Sequence, residues 1–158
     1  MKQATLCFLV KGKQVLLGMK KRGFGEGKFN GFGGKPQPDE SLEDAALREL
    51  FEESGVKGSK KHLEKRGALS FFFSQKPEWN QQVHVFVLKE WEGNPEETEE
   101  MAPEWFHHEK IPFERMWQDD QHWLPRVLNG EKLEAEFTFG KDNESIIKQQ
   151  ISEVNQLR

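Results

Sequence analysis

The chain has 158 residues, of which 35% are hydrophobic and 32% charged, and this size and composition predict one globular domain with a sizeable core. Acidic residues outnumber basic ones, 27 to 23, so the chain as a whole does not attract nucleic acid. The single cysteine, Cys7, excludes an internal disulfide and a cysteine-rich zinc site. No apolar run reaches the roughly 18 residues of a membrane span, and residues 1–10 lack the features of a signal peptide. We therefore expect a soluble cytoplasmic protein with no membrane contact and no stable nucleic-acid partner.

The first segment predicts a β-hairpin followed by an irregular loop. Two apolar runs, residues 5–10 and 14–17, flank a Lys11-Gly12-Lys13 turn, and Cys7 inside the first run is expected to be a small buried hydrophobic residue. Six of the twelve positions from Gly23 to Gly34 are glycine, too many for a regular element. Such a loop either approaches a ligand closely or is merely flexible.

Residues 41–54 carry the clearest helix pattern in the chain. Ser41 is a candidate N-cap, and Asp44 follows it three residues later. An apolar residue recurs every four positions, at Leu42, Ala46 and Leu50. Gly55, followed by the apolar Val56, is typical of a helix C-terminus.

The remaining segments predict strands and one irregular stretch. Residues 68–73 and 83–88 are apolar strand candidates on either side of a polar turn that contains Pro77, and residues 135–139 alternate as a strand does. The Trp105-Phe106 pair and residues 112–125 are rich in aromatic residues and predict irregular structure. The tail from Ser145 fits either a helix or the returning strand of a hairpin, and the turn before it favours the hairpin.

Three glutamates stand on one face of the predicted helix. Glu49, Glu52 and Glu53 follow i, i+3, i+4 spacing in its C-terminal half, where both mutual repulsion and the helix dipole disfavour them. A hard divalent cation would reverse that cost, because Mg²⁺ and Mn²⁺ prefer carboxylate oxygens. The alternative is a solvated acidic face screened by Arg48 and Lys57.

The residues around these glutamates match a known motif. Gly34 is followed after five residues by Glu40, and after seven more by the run from Arg48 to Val56, in the pattern G-x5-E-x7-R-E-U-x-E-E-x-G-U, with U aliphatic. At average residue usage, a chance match to the seven fixed positions has a probability of about 10⁻⁸ per starting point. The chain therefore resembles the Nudix hydrolases, which cleave a diphosphate linked to another moiety.

This resemblance implies a fold and a set of roles. The expected fold is an α/β/α sandwich with a mixed β-sheet, forming a single domain over residues 1–158 with the Nudix box at 34–56. The expected catalytic residues are Glu53 as general base, Glu52, and Arg48, which would orient a glutamate. The expected cofactor is Mg²⁺, with Mn²⁺ as the alternative, and its implied ligands are Glu49, Glu52, Glu53, Glu100 and the carbonyl of Gly33.

Outside the box, the chain is similar to the oxidised purine nucleoside triphosphate hydrolases of the MutT-homologue type. The similarity lies in residues 16–25, 30–35, 83–86, 105–106, 111–113 and 116–120. It implies that the following residues bind the substrate: Thr5, Lys20, Phe24, Asn30, Phe32, Gly33, Gly34, Lys35, Phe71, Phe73, Trp117, Gln118, Asp119 and Asp120.

Each implied substrate contact has an alternative. Phe71 and Phe73 fit a hydrophobic core, Trp117 fits a packing anchor, and adjacent aspartates fit a solvated turn. If Asp119 and Asp120 instead lie in a dry pocket, burial and mutual repulsion should keep one carboxyl protonated, so that the pair both donates and accepts hydrogen bonds. Gln118 stands where this group commonly has proline, which predicts a less rigid loop.

The expected reaction is hydrolysis of 8-oxo-dGTP and 2-hydroxy-dATP to the monophosphate and pyrophosphate, by a monomer that removes oxidised nucleotides from the pool. The alternatives are a Nudix enzyme for ADP-ribose, dinucleoside polyphosphates or capped RNA, and a non-catalytic nucleotide-binding regulator. The regulator is disfavoured because it has no need for an intact set of Arg48, Glu49, Glu52 and Glu53.

Overall fold

The computed structural model describes residues 1–157, which form eight β-strands and two α-helices. The strands are β1 (Lys2–Lys11), β2 (Gln14–Lys20), β3 (Phe29–Asn30), β4 (Leu63–Phe73), β5 (Gln81–Leu88), β6 (Met101–His107), β7 (Leu133–Phe139) and β8 (Ile146–Glu153). The helices are α1 (Leu42–Ser54) and α2 (Asp120–Leu128). None of the described helices is long and apolar enough to cross a membrane.

The strands form one mixed sheet. Its order is β3-β2-β1-β5-β4-β7-β8, and β6 also pairs with β2. The pairs β1–β5 and β4–β7 are parallel, whereas the other pairs are antiparallel. The β1–β2 and β7–β8 pairs confirm both predicted hairpins, so the tail is a strand.

One helix covers each face of the sheet. Successive residues of a strand point to opposite faces, so neighbouring residues of β1 pack toward different helices. On β1, Cys7 packs in the cluster that contains Leu50 of α1, whereas Phe8 meets Trp123 of α2 edge-on at 5.9 Å between ring centroids. This arrangement confirms the predicted α/β/α sandwich. Cys7 is fully buried, as predicted, and burial raises the pKa of its thiol to about 12.

The ends of α1 agree with the predicted capping residues. The Ser41 hydroxyl accepts a hydrogen bond from the backbone N–H of Asp44 at 3.1 Å. Gly55 adopts a left-handed conformation with φ of 79°, and its N–H donates to the carbonyl of Phe51 at 2.8 Å. Local sequence therefore sets both ends of this helix.

Three predictions of irregular structure are wrong in part. Trp105 and Phe106 belong to β6, which pairs along the whole of β2, so long-range pairing decides their conformation. Residues 120–128 form α2 although Pro125 lies inside it, because Trp123, Leu124 and Val127 are fully buried and anchor the helix on the sheet. The glycine-rich segment contains the two-residue strand β3, which pairs with the end of β2.

Candidate active site

A cavity of about 250 Å³ opens on the α2 face of the sheet. Ala4 and Leu6 of β1 and Val83 of β5 contribute to its lining. Aromatic side chains add another part, in which Phe73 stacks on Phe139 with ring centroids 4.9 Å apart. Aromatic and aliphatic walls of this kind suit a flat, partly apolar ligand such as a nucleobase.

The glycine-rich loop after β2 carries an exposed aromatic side chain over the edge of the cavity. Gly23, Gly25 and Gly27 have φ values of 81°, 83° and 85°, a left-handed conformation that favours glycine. Phe24 between them is 70% exposed, yet it stacks on Trp117 at 5.1 Å and meets Trp79 edge-on at 5.7 Å. The loop is therefore held by aromatic contacts and is not merely flexible.

Two adjacent aspartates at the start of α2 lie in the cavity wall. Asp119 and Asp120 are only 4% and 2% exposed, which excludes a solvated acidic turn. The Asp119 Oδ2 accepts a hydrogen bond from the indole Nε1–H of Trp123 at 2.8 Å. The Asp120 Oδ2 accepts one from the backbone N–H of Trp117 at 3.1 Å.

Burial changes the protonation of this pair. Loss of solvent raises the pKa of Asp119 to about 6, although the Trp123 bond opposes the rise. Loss of solvent, followed by the charge of Asp119, raises the pKa of Asp120 well above its ordinary range. Burial and mutual repulsion therefore both favour keeping one carboxyl of the pair protonated, which is the direction expected from the sequence. Such a pair can donate and accept hydrogen bonds along one edge of a base.

Backbone groups build another part of the cavity lining. The N–H of Gly33 donates to the Glu53 Oε1 at 2.8 Å, and the N–H of Thr5 donates to the carbonyl of Gly34 at 2.9 Å. A Cβ on Gly33 would lie 1.8 Å from the Thr5 carbonyl oxygen, so only glycine fits there. Lys20 lines this cavity as well, and its positive charge lowers the pKa of the Glu53 carboxyl.

Glu53 is the one glutamate of the acidic helix face that lines the cavity. It is 7% exposed, and burial raises the pKa of its carboxyl to about 8. The Gly33 N–H lowers this pKa, whereas the charges of Glu49 and Glu100 raise it further. A cation beside Glu53 would offset the same burial and repulsion.

The other glutamates of the implied metal site are held by arginines. Arg48 donates from Nη1 to Glu49 at 2.9 Å and to Glu52 at 3.3 Å, while its Nε and Nη2 bind both oxygens of Glu40. No three acidic, histidine or cysteine side chains among residues 1–157 converge closely enough to hold a metal ion.

Glu100, from the β5–β6 connection, is the remaining implied ligand. Its Oε1 accepts hydrogen bonds from Arg22 at 2.6 and 3.2 Å, and this partner lowers the pKa of Glu100. The carboxylate oxygens of Glu49, Glu52, Glu53 and Glu100 are the donors that a hard divalent cation prefers. The chemistry of this donor set fits such an ion, although in this structure Glu49 and Glu52 contact Arg48 and Glu100 contacts Arg22.

The structure brings most of the implied substrate residues into one cavity. Its lining includes Thr5, Lys20, Phe24, Asn30, Gly33, Gly34, Phe71, Phe73, Trp117, Asp119 and Asp120. Phe71 also belongs to the hydrophobic core, so the core and pocket alternatives both hold for it.

Three residues with implied substrate contacts lie outside the cavity lining. Phe32 is fully buried in the core cluster under α1, because its backbone pairs with Cys7 of β1. Lys35 is exposed, and its carbonyl accepts a hydrogen bond from Arg48 at 3.1 Å. Gln118 is exposed outside the cavity lining.

Sequence reasoning missed further lining residues, namely Ala4, Leu6, Gly25, Lys28, Gly31, Gln81, Val83, Met101, Phe139 and Asn143. Trp123 also lines the cavity, is fully buried and donates to Asp119. Gln81 and Asn143 carry no local signal, because strand pairing alone brings them to the cavity.

Three comparisons place this geometry among known proteins. The family model described as "NUDIX domain" matches residues 1–127. The chain is similar to the oxidized purine nucleoside triphosphate hydrolase of Mus musculus, with 46% identity over 151 residues, 96% of this chain and 94% of that one. The protein of that name from Danio rerio is 45% identical over 156 residues, 99% and 97% of the two chains. The crystal structure of a mMutator MutT protein from Bacillus halodurans has a TM-score of 0.79 and 25% identity, and covers 96% of this chain and 97% of its own.

Proposed function

The chain belongs to the NUDIX family, and from that premise we propose that it hydrolyses oxidised purine nucleoside triphosphates, the activity in the names of its mouse and zebrafish relatives. The products would be a nucleoside monophosphate and pyrophosphate, and the biological role would be removal of oxidised nucleotides from the pool. The observation that carries the proposal is one cavity with a buried aspartate pair in its wall and Gly33, Gly34 and Glu53 at another side.

The base would lie beside the aspartates and the aromatic walls. A protonated and an ionised carboxyl together offer one O–H donor and several acceptors, so they can pair with the mixed donors and acceptors of a purine edge. Moving the proton between Asp119 and Asp120 would let the same wall pair with 8-oxoguanine and with 2-hydroxyadenine. This explains how one cavity could accept two oxidised purines.

The triphosphate would extend toward Lys20 and the backbone of Gly33 and Gly34. Lys20 lines the cavity close enough for its charge to act on Glu53, and it would offset phosphate charge in the same way. Glycines at this position let the phosphates approach the backbone closely.

Members of this family generally use a divalent metal ion, and we propose Mg²⁺, with Mn²⁺ as a substitute. Its ligands would be Glu49, Glu52, Glu53 and Glu100, together with the Gly33 carbonyl. When bound, the ion would offset phosphate charge and lower the pKa of a water molecule.

The chain itself would supply the base and its support. Glu53 would accept the proton of the attacking water, because its carboxyl is the one on the acidic face that reaches the cavity. Arg48, held by both oxygens of Glu40, would fix the positions of Glu49 and Glu52. We also propose that the enzyme is a monomeric single domain over residues 1–158 and acts in the cytoplasm.

A product assay tests the proposal directly. The purified chain would be offered 8-oxo-dGTP, 2-hydroxy-dATP, dGTP, dATP, ADP-ribose, a dinucleoside polyphosphate and capped RNA, each with Mg²⁺ and with EDTA. We expect the oxidised triphosphates to be preferred, pyrophosphate and monophosphate to appear in equal amounts, and EDTA to abolish turnover. In ¹⁸O-water the label should enter only one of the two products.

Other outcomes would contradict the proposal in distinguishable ways. Preference for ADP-ribose, dinucleoside polyphosphates or capped RNA would assign the site to another NUDIX substrate. Release of orthophosphate with a nucleoside diphosphate would exclude attack at an internal phosphorus. Nucleotide binding without turnover of any substrate would indicate a regulator.

A further inference from the structure

Hydrogen bonds within the turn between β7 and β8 hold Asn143 in the cavity wall. The Asp142 Oδ1 accepts hydrogen bonds from the N–H groups of Glu144 and Ser145 at 3.0 and 2.8 Å, and the Gly140 N–H donates to the Ser145 carbonyl at 2.9 Å. The N–H of Asn143 donates to the Gly140 carbonyl at 3.0 Å. These bonds fix Asn143 at a φ of 57°, a left-handed conformation that asparagine tolerates better than most residues.

The amide of Asn143 is incompletely satisfied. Asn143 lines the cavity, and its Oδ1 is shielded from solvent yet has no hydrogen-bond partner among the described residues. Buried polar atoms nearly always have a partner, and leaving one without a donor is destabilising. By contrast, Asn30 in the same cavity has its Oδ1 bonded to the N–H of Gly31 at 2.8 Å. The Asn143 oxygen is therefore an unsatisfied acceptor on a residue that lines the cavity, and a ligand could supply its donor.

Oxidation of a purine at C8 creates such a donor. In an unmodified purine N7 is an acceptor and C8 carries a hydrogen, whereas in an 8-oxopurine N7 carries a hydrogen and C8 a carbonyl oxygen. The N7–H and C8=O of the oxidised base form a cis-amide edge. A primary amide side chain is complementary to it, because its Oδ1 accepts while its Nδ2 donates.

We propose that Asn143 is a specificity-determining residue that binds the N7–H and C8=O edge of an 8-oxopurine. This inference rests on the proposed function and deepens it, because it assigns recognition of C8 oxidation to the β7–β8 turn. Asp119 and Asp120 would then read another edge of the same base. A base oxidised at C2, whose N7 has no hydrogen, offers no N7–H donor to the Asn143 Oδ1.

Two variants of Asn143 and one control test the inference. Asn143→Gly suits a φ of 57° and removes the amide, so the turn keeps its conformation. Asn143→Asp keeps the side-chain size and the left-handed preference but replaces the donor that faces C8=O. Lys141→Ala changes an exposed residue of the same turn outside the cavity lining and is the matched control.

The measurements are kcat/KM for 8-oxo-dGTP, dGTP and 2-hydroxy-dATP, and calorimetric binding of 8-oxo-dGMP and dGMP without metal. For both Asn143 variants we expect kcat/KM for 8-oxo-dGTP to fall roughly 5- to 150-fold, the effect of losing a buried hydrogen bond. The values for dGTP and 2-hydroxy-dATP should stay within about 2-fold of wild type, as should all values for Lys141→Ala. Binding of 8-oxo-dGMP should weaken, while binding of dGMP should not.

Other results would contradict either the inference or the proposed function. Unchanged 8-oxo-dGTP kinetics in both variants, or an equal loss on all three substrates, would overturn the assignment to the C8 edge. If the wild-type protein hydrolysed no oxidised triphosphate, the proposed function would fail, and the calorimetry would still decide the inference by comparing 8-oxo-dGMP with dGMP. A melting temperature measured for each variant separates a loss of recognition from a loss of folding.

Discussion

Substitution of Asp119 by asparagine should change how the stability of the protein depends on pH. The Asp119 carboxyl is 4% exposed, and its pKa rises from the ordinary 3.8 to about 6 because burial disfavours its charge. A group whose pKa is raised by folding contributes stability below the pKa of the unfolded chain and loses it as pH rises through the folded pKa. The stabilisation that the protonated Asp119 contributes to the folded state is therefore fully present below about pH 4 and is lost above about pH 6.

The size of the effect follows from the same two values. One pKa unit corresponds to about 1.4 kcal/mol, so this carboxyl alone should lower the free energy of unfolding by about 3 kcal/mol across the window. Asp119→Asn removes the titration but keeps an oxygen that can accept the indole N–H of Trp123. The difference in stability, variant minus wild type, should therefore rise from about pH 4 to pH 7.

Urea unfolding followed by circular dichroism at pH 4.5, 5.5, 6.5 and 7.5 measures this difference. Asp142→Asn is the flat control, because hydrogen bonds from Ser145 and Glu144 lower the pKa of Asp142 from 3.8 to about 2. This carboxyl is therefore ionised in both the folded and the unfolded chain over the whole range, and its stability difference should not change with pH. A difference for Asp119→Asn that stays constant from pH 4.5 to 7.5 would refute the argument, since the folded protein would then not retain the proton.

Selectivity should change together with stability. Asp119→Asn and Asp120→Asn each fix the donor and acceptor pattern of one member of the pair, so each should change the ratio of 8-oxo-dGTP to 2-hydroxy-dATP hydrolysis. Loss of one buried hydrogen bond is worth about 1–3 kcal/mol, or roughly 5- to 150-fold in that ratio. Wild-type ratios in both variants would remove the aspartates from base recognition.

Three further predictions concern the phosphate end and the loop. Glu53→Gln should lower kcat by at least ~10²-fold in steady-state assays with Mg²⁺ because it removes the base, whereas near wild-type turnover would assign that role to another residue. Gly33→Ala should lower the free energy of unfolding by about 1–3 kcal/mol in urea titrations, because its Cβ would lie 1.8 Å from the Thr5 carbonyl oxygen. Unchanged stability in this variant would show that the backbone moves freely at Gly33. Trp79→Ala removes the edge-on partner of Phe24 at 5.7 Å, an aromatic contact worth about 0.5–1.5 kcal/mol, so KM should rise roughly 2- to 12-fold at constant kcat. An unchanged KM in that variant would show that the loop does not depend on Trp79.

The sequence by itself determined the elements whose information is local. Ser41 and Gly55 mark the ends of α1, and both lie beside the residues that they cap. The spacing of Glu49, Glu52 and Glu53 places the three carboxylates on one helix face, because neighbours on a helix recur every three to four residues. The box pattern from Gly34 to Val56 likewise lies within consecutive residues, so no long-range contact is needed to recognise it.

Only the tertiary structure decided which residues reach the cavity and what their environment is. Phe32 lies in the same segment as Asn30 and Gly33, which line the cavity, but pairing with Cys7 buries Phe32 under α1, away from the cavity. Asn143 is more than 100 residues from Thr5 in the chain, and the β4–β7 and β7–β8 pairings bring both to one cavity. The protonation of Asp119 depends on burial, which is set by packing between elements distant in sequence. A pKa raised by desolvation therefore cannot be read from neighbouring residues, because it is a property of the folded surroundings.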